Sequence, residues 1–201
     1  MKNKILILAI VAAMGLGGCA SKTQVISKAE SAEMVSASLS DNDFESAAKS
    51  MLESMLSSKK IGAKKSHYVM LLDEVQNDTM QRINTAELTD YIEEELTNNT
   101  DLITPTRAFG GGRNNNIAAA RSLSDSELVK QSTVKKKNQV DAYDLILEGR
   151  ITQKNTAVEG TSNKKIDYIF SLRLIDANDG LLIWSKKETI TKLTDKKTQT
   201  W

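Results

Sequence analysis

The residue best equipped for covalent chemistry lies near the start of the chain, where Leu16-Gly17-Gly18-Cys19 presents the only cysteine among 201 residues. A deprotonated thiol is a nucleophile, and this one follows a basic stretch with Lys2 and Lys4, an apolar run from Ile5 to Met14, and small residues. That order reads as an export signal ending in a cleavage site. The run of about ten apolar residues is too short to cross a bilayer, which needs about 20. With no second cysteine the thiol has no disulfide partner inside the chain.

Other reactive candidates are sparse. His67, the single histidine, heads an apolar run and reads as a structural edge residue rather than a base or metal ligand. The glycine run in Phe109 to Asn116 could cradle a phosphate, but no Gly-Lys-Ser/Thr follows it and no strand leads straight into it, so Gly110 to Asn116 reads as a loop. No nucleophile, base and orienter set and no carboxylate pair has a recognisable setting. The expectation is a non-enzyme with no metal, no cofactor and no small-molecule substrate.

Charge points the same way. The chain carries 27 basic and 26 acidic residues for a net charge of +1, and cleavage after Gly18 removes two lysines, leaving about −1. Nucleic-acid phosphates are held by clustered Lys and Arg, so so even a balance gives no reason to expect a nucleic-acid partner.

Cys19 directly after Leu-Gly-Gly resembles the lipobox of bacterial lipoproteins; the alternatives are an ordinary signal followed by an unrelated cysteine, or a buried structural thiol. The resemblance implies a diacylglyceryl thioether, cleavage before Cys19 and acylation of the new amine. Several buried acyl chains, at about 0.8 kcal/mol per CH₂, hold a protein on a membrane far better than one. Ala20 and Ser21 follow with no Asp at the second mature position, which by the same resemblance favours the outer membrane, on its periplasmic face.

The elements that must carry any function lie further on. Residues 1–18 form the signal, and 19–42, rich in Ser, Ala, Glu and Lys, read as the lipidated cysteine and a flexible tether of about 80 Å at full extension. Residues 43–201 read as one globular domain, long enough for a core without disulfides. Phe44, Ala47, Ala48, Met51, Leu52, Met55 and Leu56 recur at helical spacing, with Asp41 or Asp43 as N-cap candidates. His67 to Val75 predicts a strand buried on both faces, and Asn84 or Thr85 with Glu87 a helix start by capping box, carrying Leu88, Tyr91, Ile92 and Leu96 inward. Leu102 to Thr104 predicts a short strand stopped by Pro105, the only proline. Strand, helix, strand at this spacing predicts a right-handed crossover and a partly parallel sheet.

Ser124 with Glu127 predicts a third helix to about Asn138, whose Lys135-Lys136-Lys137 end suits the negative pole of its dipole. Strands follow at Tyr143 to Ile151, Ile166 to Asp176 and Leu181 to Ile190, the last two joined by an Asn178-Asp179-Gly180 turn. Trp184 reads as a buried ring, and Lys186, Lys187, Lys192, Lys196 and Lys197 as a solvated edge and tail. The fold class is α/β (α+β): a small mixed sheet of about four to five strands flanked by helices.

Taken in order, Asp43-Phe44 with its Met-rich helix, Leu71-Leu72-Asp73 followed by Asn77, Asn84 to Glu87, Leu123-Ser124, Val140-Asp141-Ala142, Leu174-Ile175-Asp176 to Gly180 and Ile183-Trp184-Ser185 resemble the LpoB family of penicillin-binding protein activators over most of residues 43–192. The resemblance implies a fold similar to the amino-terminal domain of TolB. It also implies a regulator that reaches inward through the peptidoglycan, with which it can make contact, and docks on a class A penicillin-binding protein. The alternative within the same fold is a structural lipoprotein of a flagellar or secretion assembly. The long proline-rich tether of the best-known members is absent between 19 and 42, so the reach is shorter, and Gln153 to Lys165 looks specific to this chain. Candidate partner-binding residues are Arg173, Lys135 and Lys136, on the polar side of the last hairpin and the end of the third helix. The lipid assignment is checked directly: Cys19→Ser should abolish incorporation of labelled palmitate and release the chain from membranes, and unchanged labelling would refute it.

Overall fold

The computed structural model describes residues 36–58, 60–61, 67–107 and 141–195, together with Ser27 and positions 119, 122–123, 126–130, 132 and 134. Cys19, Lys135, Lys136, Ser124 and the Gly110–Asn116 stretch lie outside the described residues, as do the signal and most of the expected third helix. The described residues 126–130 of that region form turns and bends rather than a helix.

Ser40, not Asp41 or Asp43, caps helix α1 (Asp41–Leu56). Its hydroxyl accepts from the Asp43 amide at 3.3 Å while the Asp43 carboxylate accepts from the Ser40 amide at 2.9 Å. This capping box satisfies two backbone donors reciprocally, which an aspartate cap at 43 could not do. Leu39 just before it is buried. Residues 39–42, tether-like in composition, are therefore part of the packed body. The apolar stripe lies as expected, with Phe44, Ala47, Ala48, Met51, Leu52 and Met55 buried.

The sheet contains β1 (Tyr68–Leu72), β2 (Gln76–Asp78), β3 (Ile103–Arg107), β4 (Leu145–Ala157), β5 (Asn163–Asp176) and β6 (Leu182–Asp195), with helix α2 (Thr85–Asn99) between β2 and β3. Their order is β3-β1-β4-β5-β6, with β2 also on β4. The β1–β3, β1–β4 and β2–β4 pairs are parallel and the β4–β5 and β5–β6 pairs antiparallel, so the sheet is mixed. The count is six because one apolar run is broken into β1 and β2. Leu72 pairs with Leu147 but Gln76 with Arg150, one residue more on the β1–β2 side, and the intervening segment bulges so that Val75 turns inward. There Val75 fills the space left by Gly149: a Cβ at 149 would meet Val75 Cγ2 at 2.9 Å.

Pro105 does not stop its strand. It sits inside β3, opposite Met70. β3 is the last strand on its side of the sheet, and a residue without an N–H is tolerated on an edge. In α2 the expected capping box is incomplete, since the Asn84 side chain makes no cap bond to the backbone and instead donates to Glu87 Oε2 at 3.1 Å. The β5–β6 turn uses Gly180 at φ 72°, where other residues are strained.

Both described helices lie on one face. Phe44 meets Phe170 with ring centroids 4.6 Å apart, Ser50 bonds Glu188 and Arg107 bonds Asp90 and Glu93 of α2. Below them Ile166, Tyr168, Phe170, Leu172 and Leu174 of β5 are sealed, each at most 1% exposed. A fully buried side chain of this size contributes about 1.5–3 kcal/mol. β1 differs from the expectation: Tyr68, Met70 and Leu72 are buried, while Val69 and Leu71, on the other face, are only half-buried. Trp184, on the outermost strand β6, packs against the core but is only half-buried. Gly149→Ala should lower stability by about 1–3 kcal/mol, the cost of overpacking. Thermal unfolding checks it, and Val75→Ala in the same chain should recover part of the loss.

Candidate functional site

The face away from the helices is set by strand alternation. Registration across β4, β5 and β6 aligns Glu148 with Arg173 and Ser185, then Arg150 with Ser171 and Lys187, then Lys154 with Asp167 and Thr191. The first two rows, with Gln76, line a shallow depression of 480 Å³. Its cations are only loosely neutralised: Arg173 Nη1 lies 3.4 Å from Glu148 Oε2 with both side chains largely exposed. Arg150 pairs with Asp78 of β2 in an equally exposed contact, and exposed pairs of this kind contribute little to folding. Lys187 makes no ion pair among the described residues. Farther along, the Asp167 carboxylate accepts from Thr191 at 2.7 Å and pairs with Lys165 at 2.9 Å. These two bonds hold its pKa below the usual carboxylate range.

The helix side has the opposite character. α2 carries Glu87, Asp90, Glu93, Glu94 and Glu95 and no base, and α1 opens with Asp41, Asp43 and Glu45. Burial together with Glu95, whose carboxylate accepts the phenol at 3.2 Å, pushes the Tyr91 hydroxyl up to about 12. Across the sheet, then, an acidic helix layer faces away from a basic open face.

Two of the lysines expected on a solvated edge turn toward α1 instead. Lys192 turns under α1, 11% exposed, and its Nζ donates to Asp43 Oδ2 at 2.6 Å. Lys186 reaches Ser50 Oγ at 3.2 Å and Glu188 at 2.9 Å. Their even positions place them with Trp184 and Ile190 on the helix side, whereas Lys187 alternates to the open face. Burial acts to raise the Asp43 carboxyl, but the bonds from Lys192 and Ser40 outweigh it and hold its pKa below the usual range.

Of the expected partner-binding residues, Arg173 is where an exposed contact needs to be, while Lys135 and Lys136 fall outside the described residues. Arg150, Lys187 and Asp78 lie on the same face and were not among the expected residues. Arg150 and Lys187 could have been found by extending the alternation of their strands, but Asp78 depends on a parallel pairing between distant segments. His67 behaves as an edge residue: a carbonyl can only accept, so Nδ1 donates to Asp101 O at 3.0 Å and Nε2 accepts from Thr104 Oγ1 at 3.0 Å. Among the described residues no cluster of three His, Cys, Asp or Glu could hold a metal ion.

The architecture is that of an α+β domain in which the described helices cover one face of a mixed sheet and the other face is charged and half-open. Its family is defined by sequence: the model of the peptidoglycan-synthase activator LpoB matches residues 43–190, and the chain belongs to that family. Among solved structures it is similar to the C-terminal domain of LpoB from Escherichia coli (19% identity, 75% of this chain and 99% of that one, TM-score 0.45). It is similar also to that of Salmonella enterica LpoB (16% identity, 74% and 98%, TM-score 0.44). No curated protein matches it by sequence.

Because the folded-state pKa of Asp43 is depressed, its ion pair adds stability that is present above the ordinary carboxylate pKa of about 3.9 and is lost as pH falls through the lower folded value. Lys192→Met should therefore cost about 1–3 kcal/mol at pH 7, as expected for a charged hydrogen bond. The gap between mutant and parent should begin to narrow below about pH 4 and close as pH falls through the lower folded value, in unfolding curves recorded from pH 7 to pH 2.

Proposed function

We propose that this chain is an outer-membrane lipoprotein, anchored through Cys19, that binds a class A penicillin-binding protein and raises its glycan polymerisation and cross-linking. The observation that carries the reading is the match of the activator family over residues 43–190. The family is one of regulators, and the chain's own residues suit that role, since the open face offers charged side chains for recognition. A bound state of the synthase that fits this face better than the resting state is favoured by that difference in affinity. Anchoring both partners at membranes raises their effective concentration, so modest affinity suffices.

The docking surface we assign is the row of Arg173 with Arg150 and Lys187 beside it. These cations are exposed and share a shallow depression, so an acidic surface of the synthase can reach them without unfolding anything. Lys135 and Lys136 remain secondary candidates from the sequence. The peptidoglycan between anchor and synthase is a second contact of the same reading.

Two assays test this. The mature chain should copurify with a class A synthase of its own cell and speed lipid II polymerisation, and the double change Arg150→Glu with Arg173→Glu should weaken binding by about tenfold or more, as loss of interfacial charge contacts does. Unfolding curves should stay close to the parent's, because both side chains are exposed. A chain that binds no such synthase and leaves polymerisation unchanged would remove the activator reading in favour of an assembly lipoprotein.

A further inference from the structure

The segment Ser36–Ser40 enters the fold as a strap over the helix-side end of the sheet. Its fastening is specific. The Gln81 side chain meets the Leu39 backbone at two points, accepting from Leu39 N at 2.8 Å and donating to Leu39 O at 2.8 Å. The Leu39 side chain is buried, and the Tyr168 hydroxyl donates to Ala37 O at 3.3 Å. Gln81 thus does for Leu39 what a neighbouring strand would do, from a loop.

That loop is tied to β2. Asn77 Nδ2 donates to Gln81 O at 2.9 Å, Gln81 N donates to Thr79 Oγ1 at 3.1 Å, and the Thr79 hydroxyl lies 2.7 Å from Asn77 Oδ1. β2 is only three residues long, and its side chains alternate. Asn77, in register with Ile151, faces the helix side and holds the Gln81 loop, whereas Gln76 and Asp78, in register with Arg150 and Thr152, face the open side. Asp78 there pairs with Arg150. One short strand therefore has the strap's lock on one side and a counter-ion of the open face on the other.

We propose that Gln81 is a positioning residue coupling the two: with the strap fastened, β2 holds Asp78 on Arg150, and with the strap released, β2 loosens and Arg150 is free to pair elsewhere. The coupling is reciprocal, so a ligand that takes Arg150 from Asp78 weakens the strap by the same factor. Its use in docking rests on the assignment of the open face given above.

The test uses the full chain in detergent with Gln81→Glu, which keeps the size and the acceptor for Leu39 N but sets an oxygen against Leu39 O. Amide hydrogen exchange should rise at Leu39 and Ser40 and also, about tenfold, at residues 76–80, as expected for one net hydrogen bond lost. The Arg150 Nε–Hε resonance should move toward its position in Asp78→Asn. Tyr168→Phe loosens the strap from its other end with minimal change of shape and should shift the same signals in the same direction. Faster exchange confined to the strap, with residues 76–80 and the Arg150 resonance as in the parent, would overturn the coupling. Unchanged exchange at Leu39 and Ser40 would overturn the lock itself. Neither measurement involves the synthase, so the coupling and the docking role can fail separately.

Discussion

Phe170 lies under Phe44, and around that ring contact the helix-side half of the domain is organised. β5 is paired on both sides along its length, by β4 and by β6, so its inward face has no freedom to tilt. α1 must then lay its Met and Ala stripe along a fixed row of Ile166, Tyr168, Phe170, Leu172 and Leu174. Small residues at Ala47 and Ala48 let the helix approach, and Met51 and Met55 adapt to the remaining gaps. The capping box at Ser40 fixes where α1 begins, and therefore which residues of the stripe meet which rung.

The same layout puts β3 and β6 at the two ends of the main strand order, and the chain guards each differently. At β3 a proline removes one donor from the exposed row, and the strand is only five residues long. β6 is fourteen residues long and would be a template for another chain if its inner face were apolar. Instead Lys186, Glu188 and Lys192 point inward, a known defence of edge strands, and each finds a partner on the sheet or α1. Those inward charges cost little here because Asp43 and Ser50 are within reach, and the Asp43 carboxylate serves the helix cap and the edge strand at once.

What could be read from sequence divides along sequence distance. α1, α2 and the β5–β6 hairpin were legible because their signals are local: a 3.6-residue stripe, and alternation around an Asn-Asp-Gly turn. The parallel pairing of β2 with β4 carries no local signal, so the bulge at Asp73–Val75, the role of Gly149 and the Asp78–Arg150 pair were hidden. The lysines of β6 show the limit most clearly. Lys186 and Lys187 are adjacent and chemically identical, yet one is tucked beside Ser50 and the other faces outward. Only the position of α1 above the strand distinguishes them. The exposure of Arg173 was legible because it shares its strand with the core residues that fix the parity.

The β4–β5 hairpin extends the sheet past the end of β2, whose last register partner is Thr152. Beyond that point, among the described residues, β4 pairs with β5 alone, from Gln153 to Ala157. The extension is moored by Met80 N donating to Gln153 Oε1 at 3.1 Å and by Asn155 Nδ2 against Met80 Sδ at 3.8 Å. Met80 neighbours Gln81, so the mooring of the hairpin and the fastening of the strap share one short loop, Thr79 to Ile83. A part of the chain that looks specific to it, Gln153 to Lys165, is thereby joined to the point where the N-terminal segment enters. Changes in hairpin length or charge can alter what this domain presents to a partner while the Phe44–Phe170 core stays as it is, because no buried core residue beyond Ile166 and Tyr168 takes part in that extension.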